Sequence, residues 1–70
     1  MTTTQPRLMT GAEAERLYRL ARRAFTARTP KQAESWRARW VAFADQLAAT
    51  GVTRSNIHKV WAHAQEVNAA

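Results

Sequence analysis

Seventy residues with a formal charge of +6 make one small basic domain. At this size folding removes only about 60% of the surface the unfolded chain exposes, and a single core rarely yields more than about 3 to 5 kcal/mol. With no cysteine, disulfides and thiolate metal sites are excluded, and no apolar run approaches the ~20 residues of a membrane span. Residues 1–5, MTTTQ, lack the charged start and apolar run of an export signal, so a soluble, cytoplasmic chain with no membrane partner is expected. Eleven Lys and Arg against five Asp and Glu favour anionic partners: nucleic acid first, an acidic protein surface second, anionic lipid third. The competing reading is that arginine is a good helix former that keeps an alanine-rich surface soluble.

In chain order, residues 1–9, MTTTQPRLM, show no periodicity and read as a disordered, flexible tail. Thr10 and Glu13 fit a Thr-x-x-Glu capping box, which starts helix one at Gly11 and carries it to about residue 28. Ala14, Leu17, Leu20, Ala21, Ala24 and Phe25 form its apolar face, while Arg16, Arg19, Arg22 and Arg23 occupy the opposite arc. Thr29-Pro30 ends that pattern and begins another, because the residue before proline avoids helical dihedrals while proline suits the first helical position. Thr29 with Gln32 repeats the capping-box spacing, and helix two is expected over residues 30–49, closed by Gly51.

The core stripe of helix two is Ala33, Trp36, Trp40, Phe43, Ala44 and Leu47. A second side, with Ala38, Val41, Ala42 and Ala49, is small enough for close approach of helix three or of a second subunit, which marks it as a candidate homodimer interface. Thr53 caps helix three, expected over residues 53–67 with Ile57, Val60, Trp61, Ala64 and Val67 inward. Short loops between amphipathic helices give an all-α, compact three-helix bundle, a single helical domain over residues 10–70. The expected core is Leu17, Leu20, Phe25, Trp36, Trp40, Phe43, Leu47, Ile57, Val60 and Trp61.

Catalytic machinery is not expected. His58 and His63 are five apart, roughly 140° around a helix, and do not converge on one metal. The five carboxylates are dispersed, Ser35 and Ser55 lack a nucleophile's setting, and the two glycines do not make a phosphate loop. A non-enzymatic chain without metal or cofactor follows. Trp36 and Trp40, with Phe43 on the same face, could form a stacking platform, but their place on the most apolar stripe assigns them to the core.

Residues 46–61 carry a motif. Gly51 at a turn, Val52 just after it, Thr53 opening a helix, and Ile57 and Val60 six and nine positions past the glycine resemble the helix-turn-helix family. Leu47 and Thr50 depart from the small and apolar residues that family carries there, and helix two is longer than the usual first helix of the motif. The resemblance implies a small DNA-binding regulator of transcription whose partner is double-stranded DNA. Arg54, Ser55, His58 and Lys59 would approach base edges, and Arg16, Arg19, Arg22 and Arg23 would hold phosphates. One short helix reads few base pairs, so a dimer is expected. The alternative is a protein-interaction module or inhibitor that docks a helix face on a larger acidic partner, in the manner of small phage- or plasmid-encoded modulators. A continuous surface joining the helix-one arginines to the Arg54 and Lys59 face would favour nucleic acid, and opposed surfaces would favour the protein partner.

Overall fold

The structure, a computed structural model, describes residues 6–69. It contains α1 (Gly11–Thr26), α2 (Pro30–Ala49) and α3 (Arg54–Ala69), the three-helix bundle expected. The α1 capping box is complete: Glu13 N–H donates to the Thr10 hydroxyl at 3.2 Å, and Thr10 N–H donates to Glu13 Oε1 at 3.0 Å. The helix ends two residues earlier than expected. Ala27 is already extended at ψ 142, as is Thr29 at ψ 152 ahead of Pro30, so the connection spends residues 27–29 on reversing the chain. The Thr29 hydroxyl accepts from Gln32 N–H at 3.1 Å, one arm of the second box.

Gly51 closes α2 with a Schellman turn. Its N–H donates to Ala48 O and Val52 N–H donates to Leu47 O, which satisfies two carbonyls the helix end would otherwise strand. Such a turn needs a residue at positive φ, and Gly51 lies at φ 108. Val52 and Leu47, the two ends of that last hydrogen bond, are both buried, so the turn is clamped by apolar contact as well. Thr53 then accepts from Asn56 N–H at 3.4 Å and launches α3, which continues to Ala69 rather than 67.

The core takes residues from every element: Leu17 and Ala21 of α1, Trp40, Ala44 and Leu47 of α2, Val52 of the turn, and Ile57 and Ala64 of α3. Each helix contributes an alanine there, which lets backbones approach closely. Phe25 stacks obliquely on Trp61 at 4.7 Å, and Trp61 meets Trp40 edge-on at 4.7 Å, so one aromatic chain ties the three helices together. α1 packs along both α2 and α3, and past Ala64 the residues of α3 that are described, 65–69, are exposed.

Two side chains expected inward lie elsewhere. Trp36 is not a core residue: it is half-buried on the flank of α2, covered by arginines rather than by apolar side chains. Val67 was expected inward and is 39% exposed, because α3 outruns its neighbours.

The expected tail divides. Residues 1–5 lie outside the described residues, whereas Arg7 and Met9 are docked and Leu8 between them is exposed. Arg7 N–H donates to Gly51 O at 3.0 Å in an isolated parallel bridge with Val52, and Met9 packs on the core. The Arg7 guanidinium donates to both carboxylate oxygens of Glu13, at 2.8 and 2.9 Å, and to the Thr50 hydroxyl at 2.6 Å. One side chain thereby joins the start of α1 to the turn between α2 and α3. Polar contacts of this kind have no periodicity, which is why a pattern of apolar spacing misses them.

Candidate nucleic-acid interface

The first turns of α3 present the side chains named for base contact. Arg54, Ser55, His58 and Lys59 are all exposed, while Ile57 between them is buried and anchors the helix. They do not form one uniform face. Arg54 leans toward α2 and donates to Asp45 at 3.2 Å, and the His58 ring lies 6.4 Å from Trp40 on the same side. Lys59 lies on the opposite flank, lining a shallow cleft with Ala14, Glu15, Tyr18 and His63, and the His63 ring is 5.6 Å from Tyr18. Ser55 stands on the ridge between them.

The helix-one arginines separate into three environments. Arg19, exposed, donates to Glu15 one turn back at 2.6 Å. Arg22 is half-buried, and its Nη1 is enclosed without a hydrogen-bond partner, so it is less available to a ligand than its place on the arc suggested. Arg16 and Arg23 turn toward α2. The Arg16 guanidinium lies 4.6 Å over the Phe43 ring and that of Arg23 lies 5.2 Å from Trp36, which Arg39 covers at 4.7 Å. The π faces hold the positive charges in place, each contact contributing about 0.5 to 1 kcal/mol where exposed.

Together Arg16, Leu20, Trp36, Arg39, Phe43 and Gln46 line a groove of about 340 Å³ formed by α1 and α2 alone. Arg39, Trp36 and Phe43 were not expected to belong to a site. The three-residue step from Trp36 to Arg39 places them on one helical flank, the one signal in the sequence that could have found this pairing. Among the described residues, the ion pairs are Arg7 with Glu13, Arg19 with Glu15, and Arg54 with Asp45, so Arg16, Arg23 and Arg39 carry charge that no carboxylate offsets.

The groove lies across the molecule from α3, because the residues that meet α3, among them Tyr18, Phe25, Trp40 and Asp45, point from the other side of the α1 and α2 pair. The helix-one arginines and the α3 side chains therefore do not make one continuous surface. Among the described residues no three acidic or histidine side chains gather as a metal site, and no helix is long and apolar enough to cross a membrane. Ala38, Val41, Ala42 and Ala49 are exposed; Asp45 on the same side of α2 accepts from Arg54 of α3, and Ala42 also lines the α1 and α2 groove. No protein-family model, curated protein or solved structure matches this chain.

Proposed function

We propose that this chain is a small, non-enzymatic DNA-binding regulator of the helix-turn-helix type, in which α2, the Gly51 turn and α3 present Arg54, Ser55, His58 and Lys59 to the major groove of double-stranded DNA. The observation that carries it is the turn. A Schellman closure at Gly51 followed by a Thr53 cap anchors α3 through Ile57 and Val52 while leaving four polar side chains of its first turns exposed, on a chain of charge +6. Ser55 and Lys59, the latter without an ion pair among the described residues, are the direct readers, and Arg54 would trade Asp45 for a phosphate or a base. A homodimer through Ala38, Val41, Ala42 and Ala49 would place two reading helices on one operator.

The test is a titration of parent and variants against specific and random duplexes at several salt concentrations. Changing Ser55 or Lys59 should alter preference among sequences by about 1 to 3 kcal/mol where a base contact is lost. Neutralising Arg54 should weaken binding to every duplex and reduce the salt slope by about one unit for the lost phosphate contact. No binding by the parent even at low salt would overturn the proposal.

A second reading, a module that docks on a protein partner, is favoured by two observations. The basic groove and α3 face opposite ways, and an apolar cleft of about 460 Å³ opens where Phe25, Pro30, Ala33 and Trp61 meet. Absence of DNA binding would put this reading first.

A further inference from the structure

We propose that the α1 and α2 groove is a second DNA-backbone site, facing away from α3, so that one molecule holds two duplex segments at once. This rests on the DNA-binding reading and adds a surface that the helix-turn-helix motif does not use. Three observations carry it. First, Arg16, Arg23 and Arg39 are fixed over the rings of Phe43 and Trp36 with no carboxylate partner among the described residues, and Arg19 stands beside them on the outer ridge of α1. A guanidinium lying over a ring keeps its N–H groups directed around its edge, where phosphate oxygens can accept them, and less side-chain entropy remains to be lost on binding.

Second, the cations flank the groove from both sides. Arg16 and Arg23 are two helical turns apart, about 10 Å along α1, and Arg39 faces them from α2 across the Trp36 ring that it shares with Arg23. Cations on both walls suit the closely spaced negative charges of a nucleic-acid backbone, and the lack of any carboxylate-bearing side chain among the groove's lining residues removes the main source of repulsion. Third, the geometry separates the two sites. The lining comes from α1 and α2 alone, and the molecule measures 23 by 18 Å across its long axis, so a duplex in the groove and one against α3 lie on opposite sides of a thin body.

The experiment uses the full chain, one duplex fixed to beads, and a second, fluorescent duplex in solution. Binding to a single duplex is followed separately by fluorescence anisotropy. The parent should bind the single duplex and carry the second onto the beads. The variant with Arg16→Gln, Arg23→Gln and Arg39→Gln together should keep single-duplex binding within a few-fold and lose roughly tenfold or more of the capture, since each lost phosphate contact lowers affinity in the same direction. Gln46→Glu, an exposed change that puts a carboxylate into the groove without removing an arginine, should lower capture in the same sense and stands in should the triple variant not fold.

Single-duplex binding without capture by the parent would overturn this inference and leave the α3 reading intact. Capture that survives both variants would overturn it too, since a dimer using two α3 faces would then be the bridge. Loss of single-duplex binding by a folded triple variant would make the groove the sole site and equally overturn it. An acidic polypeptide that displaces the second duplex at equal charge and lower concentration would assign the groove to a protein and overturn the DNA assignment. No binding of a single duplex by the parent is the distinct failure of the underlying reading.

Discussion

Arg7 and Glu13 meet as a two-pronged ion pair, with guanidinium nitrogens 2.8 and 2.9 Å from the two carboxylate oxygens. The same carboxylate accepts the Thr10 N–H, so a single glutamate completes a helix cap and anchors the segment that bridges to Gly51. The Arg7 hydrogen bonds, and then the Thr10 N–H, push the Glu13 carboxyl down to about 2 from its ordinary 4.5, and the Arg7 guanidinium is raised in turn.

A lowered carboxylate pKa stabilises the fold only while the group is ionised. The Glu13 contribution is therefore complete above about pH 4.5 and is lost as pH falls from there through about 2. Thermal melts across that interval should show the parent losing more stability than Arg7→Gln, whose Glu13 lacks the partner. Parallel pH profiles for the two proteins would contradict this account.

Trp40 and Trp36 are one turn apart, yet their replacement should differ. Trp40→Ala empties the aromatic junction with Trp61 and should cost roughly 3 to 5 kcal/mol, enough to unfold a domain of this size. Trp40→Phe should be much milder, because the indole N–H is buried without a hydrogen-bond partner and its removal strands nothing. Trp36→Ala removes a half-buried ring and two guanidinium contacts, so a loss of about 1 to 2 kcal/mol is expected. Chemical denaturation of the three variants gives the order directly, and equal losses at 36 and 40 would contradict the placement.

Gly51→Ala puts a Cβ on a residue at φ 108, a conformation that side chains resist. A loss of about 1 to 2 kcal/mol is expected, together with faster amide exchange at Val52, whose N–H closes the turn. Unchanged stability would mean that the turn has another acceptable form.

The exposed small-residue side of α2 should support self-association. Sedimentation of the parent at increasing concentration should show a dimer, and Ala42→Glu should shift it to monomer, because a charge would be driven into an apolar contact. A parent that stays monomeric at high micromolar concentration removes the dimer proposal.

By itself the sequence determined the three helices, because their signals are local: the Thr10 and Glu13 box, Thr29 ahead of Pro30, Gly51, and apolar spacing that placed Leu17, Trp40, Leu47 and Ile57 inside. Local signals also exposed Arg54, Ser55, His58 and Lys59, since a helix with Ile57 inward must turn them out. Tertiary structure alone decided what lies between elements. Trp36 is apolar enough for a core, but it falls on the flank where Arg23 and Arg39 converge, and no one-dimensional pattern records which side of α2 receives α1. The four arginines of α1 share one arc in sequence yet part in space, Arg16 and Arg23 toward α2 and Arg22 into a half-buried position, because packing on two neighbours divides a helix surface that periodicity treats as one. Arg7 was invisible for the same reason: its partners Glu13, six residues on, and Thr50 and Gly51, more than forty on, share no periodic spacing, and only the folded backbone brings them together within hydrogen-bond reach.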